Sequence, residues 1–331
     1  MTVPSPAPGP RRAVVAGWSG FLGTALAADL ARRGYDVARV GRQGPDARWG
    51  DGAALDRLVD GADLLVNLAG KSVGCRYTDA NRDEILRSRV ATTRRLHDAV
   101  SRAARPPRLW LNASTATIYR YALDRPQTED DGEPGSGFSV DVARAWEAAL
   151  FAGDLPGTRR VALRMAIVLG GPASDQLARV ARLGLGGPQL DGRWLPHRRY
   201  RGIGEHPTGG AAPAHRSRGR QRFSWIHVDD VLRAARFVDD AGLAGPVNLA
   251  APHPVDNRTL MAELRRAVGA PVGLPAPRWL LEPAMWALRN ESELLLKSRW
   301  VLPARLRDAG FTFRWPDLAP ALDDVVGRRR S

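Results

Sequence analysis

Val14-Val15-Ala16-Gly17-Trp18-Ser19-Gly20-Phe21-Leu22-Gly23 is an apolar strand running into three glycines at three-residue spacing, and a helix is predicted to follow from Thr24 to Arg33. Glycines so placed let the backbone turn tightly and approach a pyrophosphate. They also set that anion at a helix N-terminus and let helix and strand pack closely. With 34 glycines in 331 residues such a spacing can arise by chance, so the surroundings decide. The string follows a β-branched run, opens an Ala/Leu-rich helix that stops at Gly34, and precedes a second strand, Val37 to Val40. That βαβ order is what a dinucleotide fingerprint requires.

The end of the second strand selects between cofactors. An NAD site places an acid about 20 residues beyond the glycines to bind the ribose 2′-hydroxyl. Here Gly41-Arg42 stands in that place. A small residue leaves room for a 2′-phosphate and a guanidinium can bind it bidentately, so the sequence predicts NADP(H).

Composition excludes several classes. A chain with 44% hydrophobic residues can bury a substantial core, and no apolar run is long enough to span a bilayer. The Pro-rich start lacks the apolar centre of a signal peptide, so residues 1–11 read as a flexible tail of a cytoplasmic protein. Cys75, the single cysteine, excludes an intrachain disulfide and a cysteine-based zinc cluster. The formal charge of +14 rests almost wholly on arginine, since Lys71 and Lys297 are the only lysines. No basic helix with interleaved aromatics accompanies it, so neither nucleic acid nor membrane is expected as a partner.

Further along, Leu64 to Asn67 reads as a third buried strand and Asp79 to about Ala104 as a long helix capped by Thr78. Arg108 to Asn112 is a fourth strand, Ser139 to Phe151 a helix, and Arg160 to Leu169 one nearly unbroken apolar fifth strand. Continuous apolar strands separated by amphipathic helices predict an α/β, Rossmann-like doubly wound parallel sheet. The dinucleotide-binding domain is then 12–188 with 222–250, and residues 251–328 form a small, mostly helical substrate or cap region. Segment 189–221, rich in Arg, His, Gly and Pro, is expected to be a mobile loop. Its His197, His206 and His215 have no local carboxylate or cysteine partners, so no metal site is read there. Beyond it, Phe223 to Val228 is a strand, with Asp229 and Asp230 as capping and helix-dipole residues.

With the glycine string, Asn67-Leu68-Ala69-Gly70, Ser88-Arg89, Thr92-Thr93, Trp146-Glu147 and Phe223-Ser224-Trp225-Ile226-His227, the chain resembles the extended short-chain dehydrogenase/reductases. Leu294-Leu295-Leu296, Val301-Leu302-Pro303, Ala309-Gly310-Phe311 and Pro316-Asp317-Leu318 resemble the atypical "epimerase family" branch with a DUF1731-type C-terminal domain. The resemblance implies dinucleotide contacts from Gly17, Ser19, Gly20, Phe21, Leu22 and Gly23. It adds Gly41 and Arg42, then Leu68, Ala69 and Gly70, and the region of Val168. Lys71 stands where such relatives usually carry an acid.

Reductases of this superfamily use a tyrosine with a lysine one helical turn later. The family pattern, counted back from Glu147, puts Ser139 and Ala143 at those positions. Neither supplies the usual chemistry, because alanine carries no charge and an unassisted serine is a weak acid. What remains is Ser114-Thr115-Ala116-Thr117-Ile118-Tyr119, which resembles the Ser/Thr segment of sugar-nucleotide epimerases. Thr115 and Ser114 are the candidates for bonding the reacting oxygen, with Tyr119 as a displaced phenol. Arg76 and Tyr77 are further candidates for the substrate side. Two readings stand. One is an NADP(H)-dependent oxidoreductase or epimerase acting on a small carbonyl, hydroxyl or nucleotide-sugar-like substrate, with a homodimer left open. The other is a catalytically weak NADP-binding regulator or scaffold, since some relatives are linked to cell or plastid division.

Overall fold

The computed structural model describes residues 10–195, 197–209 and 215–328; positions 1–9 of the expected tail, and 196 and 210–214 of the expected loop, lie outside the described residues. In the first half, β1 (Arg12–Ala16) leads to α1 (Phe21–Arg32), then β2 (Asp36–Gly41), β3 (Ala47–Arg48), α2 (Gly52–Val59) and β4 (Leu64–Asn67). The long α3 (Asp79–Arg102) follows, then β5 (Leu109–Thr115), α4 (Phe138–Phe151) and β6 (Arg159–Met165). Two of the helices in this half start at side-chain caps: Asp51 accepts from Ala54 N at α2 and Thr78 from Asn81 N at α3.

The second half runs through β7 (Ile167–Leu169), α5 (Pro172–Val180), β8 (Gln189–Leu190), β9 (Arg222–Phe223) and β10 (Trp225–His227). Then come α6 (Val228–Asp240), β11 (Gly245–Leu249), β12 (Val255–Asp256), α7 (Asn257–Val268), β13 (Ala276–Pro277) and α8 (Arg278–Ala287). The short α9 (Glu293–Leu296), α10 (Ala304–Asp308) and α11 (Leu318–Gly327) complete the cap.

The main sheet has seven strands in the order β11-β6-β5-β4-β1-β2-β3, every pair parallel. Successive side chains of a strand point to opposite faces, so a strand covered on both sides must be apolar throughout. Val15, Val66, Leu111 and Leu163 accordingly enter the core beneath α1 and α6. Val14, Leu65, Trp110 and Ala162 enter the other, against Leu96 of α3 and Leu150 of α4. Each large apolar side chain so enclosed contributes roughly 1.5–3 kcal/mol. The strand order reverses between β1 and β4, and the crevice above their carboxyl ends is where such sheets bind ligands.

Two expectations need correction. The apolar run Arg160–Leu169 is not one strand. Through Met165 it pairs with β11, Ala166 N then donates to Leu249 O, and from Ile167 its partner is β10 in a separate two-stranded sheet. Hydrophobic pattern reports burial and carries no sign of which neighbour supplies the ladder, so the change of partner was invisible. Likewise Phe223–Val228 divides at Ser224, whose hydroxyl donates to Arg299 O and accepts from Val301 N.

Among its described residues, segment 189–221 carries two short elements, β8 and a 3-10 turn at Arg198–Tyr200. It is tied at several points: Ile203 N and Thr208 N both donate to Asp141 of α4, and Gln221 donates to Gln189 O. The C-terminal stretch is threaded through the whole molecule. Gln127 N donates to Trp300 O and Leu302 N to Gln127 O, while Ser224 N donates to Arg299 O and Arg299 N to Arg222 O.

Candidate functional site

The glycine string forms the turn from β1 into α1, and its three glycines have different reasons to be there. Gly17 has φ of +80°, and a Cβ on it would lie 2.7 Å from Ala69 N and Leu68 C. A Cβ on Gly23 would lie 2.3 Å from Gly17 O. Both glycines are therefore required by the fold itself. At Gly20 a Cβ would meet only Gly17 O, at an ordinary 3.5 Å, with φ −77° and ψ 164°. No close contact among the described residues demands glycine there, and the residue is exposed. Gly20 is the N-cap of α1 and brings no side-chain cap, and the first turn holds no acid. The first-turn N–H groups and the positive end of the helix dipole are thus left for an external anion. The helix starts at Phe21, three residues before the predicted Thr24, so Phe21 and Leu22 belong to its first turn. Ser19 and Gly20 are exposed, Phe21 and Leu22 half-buried, and the Phe21 ring lies against Gly171.

Gly41 and Arg42 stand at the carboxyl end of β2, beside the glycine turn: Gly17 N donates to Val40 O, and a Cβ on Gly41 would touch the Trp18 ring at 3.5 Å. Arg42 is exposed and, among the described residues, makes no hydrogen bond or ion pair, although Glu84 feels its charge. Its neighbour Arg39 is bonded to Asp46 and lies over Trp18.

Leu68, Ala69 and Gly70 follow β4 across the crevice. Their path is fixed from below by a buried amide and hydroxyl network. Asn67 donates to Asn112 Oδ1 at 2.7 Å and to Thr93 Oγ1 at 3.0 Å, and its own Oδ1 accepts from Ala69 N. Trp146 Nε1 also donates to Thr93. From the side, Ser88 Oγ accepts from Lys71 N, and Arg89 donates to Lys71 O while closing over Gly70. Ser88, Arg89 and, through Asn67, Thr93 thus clamp this loop, whereas Thr92 bonds back to Ser88 O and Arg89 O of its own helix. Lys71 itself turns away to Glu84 at 2.6 Å. Val168 is in β7, paired with Ile226, and packs on the same core as Leu22 and Leu68.

At the end of β5 the three candidate hydroxyls diverge. Ser114 is buried and donates to Glu147 Oε1 at 2.6 Å, and Glu147 in turn holds Arg164 through two hydrogen bonds. Tyr119 is 2% exposed. Its hydroxyl donates to Asn248 Oδ1 and accepts from Arg164 Nη1, and burial pushes its phenol up. Engaged on both sides and enclosed, Tyr119 braces the strand end and is not displayed as a free phenol. Thr115 is half-buried and accepts from Thr117 N across the 3-10 turn. Its hydroxyl hydrogen has no partner among the described residues, which leaves Thr115 as the open hydroxyl at this strand end.

At the start of α4, Ser139 Oγ donates to Glu293 Oε2 at 3.0 Å. Ala143 is fully buried among Ile118, Tyr119, Ala166, Ala250 and Val301, a setting with no place for a lysine. Arg76 is committed to the cap, donating to Trp286 O and stacking on its ring at 4.1 Å, and Tyr77 is buried against Phe138. Between α4 and the cap lies a cavity of about 590 Å³, lined among others by Phe138, Tyr121, Arg278, His215, Glu293 and Lys297. Sequence reasoning assigns Glu293 and Lys297 no role. The one signal available was rarity, Lys297 being one of two lysines among 49 Lys and Arg residues. Lys297 Nζ donates to Thr117 O at 2.8 Å, so the cap meets the β5 strand end here.

Around α6, Asp229 and Asp230 lie in the first turn as expected of helix-dipole residues, but neither is the cap. The N-cap is His227, whose Nδ1 accepts from Asp229 N. Asp230, fully buried, accepts from Arg314 N and Trp315 N at 2.8 Å each and so fastens the C-terminal segment. His227, Asp229 and Asp324 are close enough to be considered as metal ligands, but Arg328 binds both carboxylates, at 2.7 and 2.6 Å, and supplies the positive charge.

The NAD dependent epimerase/dehydratase family model matches residues 13–250, and the domain of unknown function DUF1731 matches 276–325. The epimerase family protein SDR39U1 of Bos taurus is 32% identical over 95% of this chain and 99% of its own. YfhF of Bacillus subtilis, also described as an epimerase family protein, is 29% identical over 95% and 98%. Human SDR39U1, crystallised with NADPH, superposes with a TM-score of 0.78 at 29% identity, covering 96% of this chain and 99% of that one. Among the described residues no helix is long and apolar enough to cross a membrane.

Proposed function

Because the chain belongs to the NAD dependent epimerase/dehydratase family, we propose that it binds NADP(H) across the crevice between β1 and β4 and serves as an oxidoreductase or epimerase on a small carbonyl or hydroxyl substrate. Gly20 carries the reading: the fold tolerates a side chain there, whereas a pyrophosphate on the α1 N-terminus does not. Backbone N–H groups of Ser19, Phe21 and Leu22 hold the pyrophosphate, the Gly20 N–H being bonded to Gly17 O. Arg42, which has no hydrogen-bond or ion-pair partner among the described residues, takes the 2′-phosphate, and the bound NADPH of human SDR39U1 supports the choice of NADP(H) over NAD(H). Leu68 to Gly70 and Val168 line the nicotinamide half. Bound NADP(H) supplies or accepts hydride, and the protein supplies geometry.

The substrate occupies the cavity between α4 and the cap, whose volume suits a sugar-sized or somewhat larger molecule. Thr115 holds the reacting oxygen from the strand end. A one-way transfer makes a reductase; withdrawal and return of one hydride inverts a carbinol centre. Ala143, packed where a lysine would be needed, favours the second reading, an NADP-binding regulator with little turnover. Parallel calorimetric titration with NADPH and NADH, followed by presentation of carbonyls and sugar nucleotides to bound NADPH, separates the readings. Tight NADPH binding with oxidation by one panel member supports the enzyme. Binding without turnover supports the regulator, and no binding of either nucleotide overturns both.

A further inference from the structure

The cavity ends at a group of polar side chains that the superfamily's usual tyrosine and lysine do not account for. Lys297 caps α9, and its ammonium has three N–H donors. One goes to Thr117 O; no carboxylate stands within ion-pair distance among the described residues, and the side chain lines the cavity. Its other two donors have no hydrogen-bond partner among the described residues. The turn that carries Lys297 is anchored at its other end, where Glu293 accepts from Ser139, and Lys297 N donates to Glu293 O. Ser139 occupies the position of the usual tyrosine. The place vacated by the phenol is thus bonded to the very turn that presents the amine.

Resting on the oxidoreductase reading above, we propose that Lys297 is the proton donor and acceptor of the reaction, and that Glu293 and Ser139 are the residues that position it. In reduction, hydride from the reduced nicotinamide forms the new C–H bond at the carbonyl carbon. The C=O π pair moves to oxygen and takes a proton from the Lys297 ammonium. The amine left behind is reprotonated from cavity water; oxidation runs the same transfers in reverse.

The electrostatic surroundings agree with the geometry. Burial brings the Lys297 ammonium down to about 8, opposed by Glu293 and reinforced by Arg299. Tyr77 stands on the loop after β4, its phenol pushed up by burial and by Glu293, and it gives Lys297 no negative charge. Across the cavity are Asp191, held by Ser217 N and Tyr121, His215, stacked on Tyr121, and Arg120 and Arg278, both paired with acids. An ammonium that loses its proton near neutrality is matched to general acid–base work.

With two lysines in the chain, reductive methylation with ¹³C-formaldehyde leaves only Lys71, Lys297 and the N-terminus to be followed by NMR, with no substrate needed. The Lys297 signal should titrate near 8, and Glu293→Gln, which keeps the acceptor for Ser139 but removes the anion, should move it lower. In turnover, carbonyl reduction by the wild type should fall about tenfold per pH unit above 8. Lys297→Met and Lys297→Arg should both lose about 10²–10⁴ in rate with NADPH affinity unchanged, since arginine keeps the charge and the tether to Thr117 O but cannot cycle a proton. A Lys297 signal at the ordinary lysine value, or full turnover in Lys297→Arg, overturns the proposal and leaves the oxidoreductase reading standing. Tight NADPH binding with no turnover of any panel member by the wild type overturns both.

Discussion

Gly20→Val separates what the glycine turn does for the fold from what it does for a ligand. The backbone at Gly20, φ −77° and ψ 164°, lies in the extended region that valine favours. The added Cβ has one neighbour within 4 Å, Gly17 O at 3.5 Å. Replacing glycine at an N-cap by a residue without a capping oxygen costs up to about 1 kcal/mol. The smaller entropy of the unfolded chain returns roughly 0.4–1 kcal/mol, so net stability should stay within about 1 kcal/mol of wild type. A dinucleotide pyrophosphate, by contrast, must approach this backbone closely, and an isopropyl group holds it off. Loss of that contact should weaken NADPH at least 100-fold, about 2.7 kcal/mol. Gly23→Ala is the counterpart. Its Cβ would fall 2.3 Å from Gly17 O and 2.8 Å from Trp18 C, both backbone, so the turn must open at a cost of about 1–3 kcal/mol in stability. Urea melts of the apo proteins and calorimetry with NADPH read the two effects independently. A Gly20→Val protein that binds NADPH within about threefold of wild type would show that Gly20 is not a ligand contact, and the cradle assignment would fail.

Arg42→Asp should exchange a phosphate-binding cation for a hydroxyl-binding acid and reverse the preference from NADPH to NADH; an unchanged ratio in paired titrations would remove Arg42 from the site. Asp230→Ala should cost about 1–3 kcal/mol in urea unfolding, because the N–H groups of Arg314 and Trp315 lose a buried acceptor; a loss below about 0.5 kcal/mol would refute the fastening role. Stability should also fall on acidification. Burial lowers the His227 pKa below its ordinary 6.5, so in the window beneath 6.5 the unfolded chain binds more protons than the folded one, and stability declines as pH drops through it. His227→Asn, which keeps a capping acceptor, should flatten the slope below pH 6.5, and an identical slope would assign it elsewhere.

How much of this was legible in the sequence follows from what each residue answers to. The parallel sheet was readable because double-sided burial writes itself as uninterrupted apolar runs, and the glycine turn because steric demand at Gly17 and Gly23 admits no other residue. Gly41-Arg42 was readable because its position is counted along the chain from that turn. The break at Ala166 was hidden, since Ile167 and Val168 are as apolar as Ala162 and Leu163 and differ only in their ladder partner. Asp230 looked like a helix-dipole residue because its real partners, Arg314 and Trp315, lie more than eighty positions away. Ser114 looked like a free hydroxyl for the same reason: Glu147 claims it from α4. Lys297 was seen only as a compositional oddity, since the groups that give it a role come from the Thr117 turn and, through Glu293, from Ser139.

The stretch Arg299–Leu302 bears on how this protein can be taken apart. It donates to and accepts from Gln127 on one side and Arg222 and Ser224 on the other, partners lying roughly 75 to 175 positions upstream. A chain cut after residue 250 would therefore not release a self-sufficient nucleotide-binding module. It would leave the 127 loop and the 222–224 segment without their ladder, presenting unpaired backbone ready for association with other chains. Nor is the cap a hinged flap riding on a rigid base, because its last extended segment is woven between two parts of that base. Ligands should come and go by movement of side chains and short loops rather than by the swing of a domain. Chimeras with a related cap should be spliced so that the 127 loop, the 222–224 segment and the 299–302 strand are exchanged together.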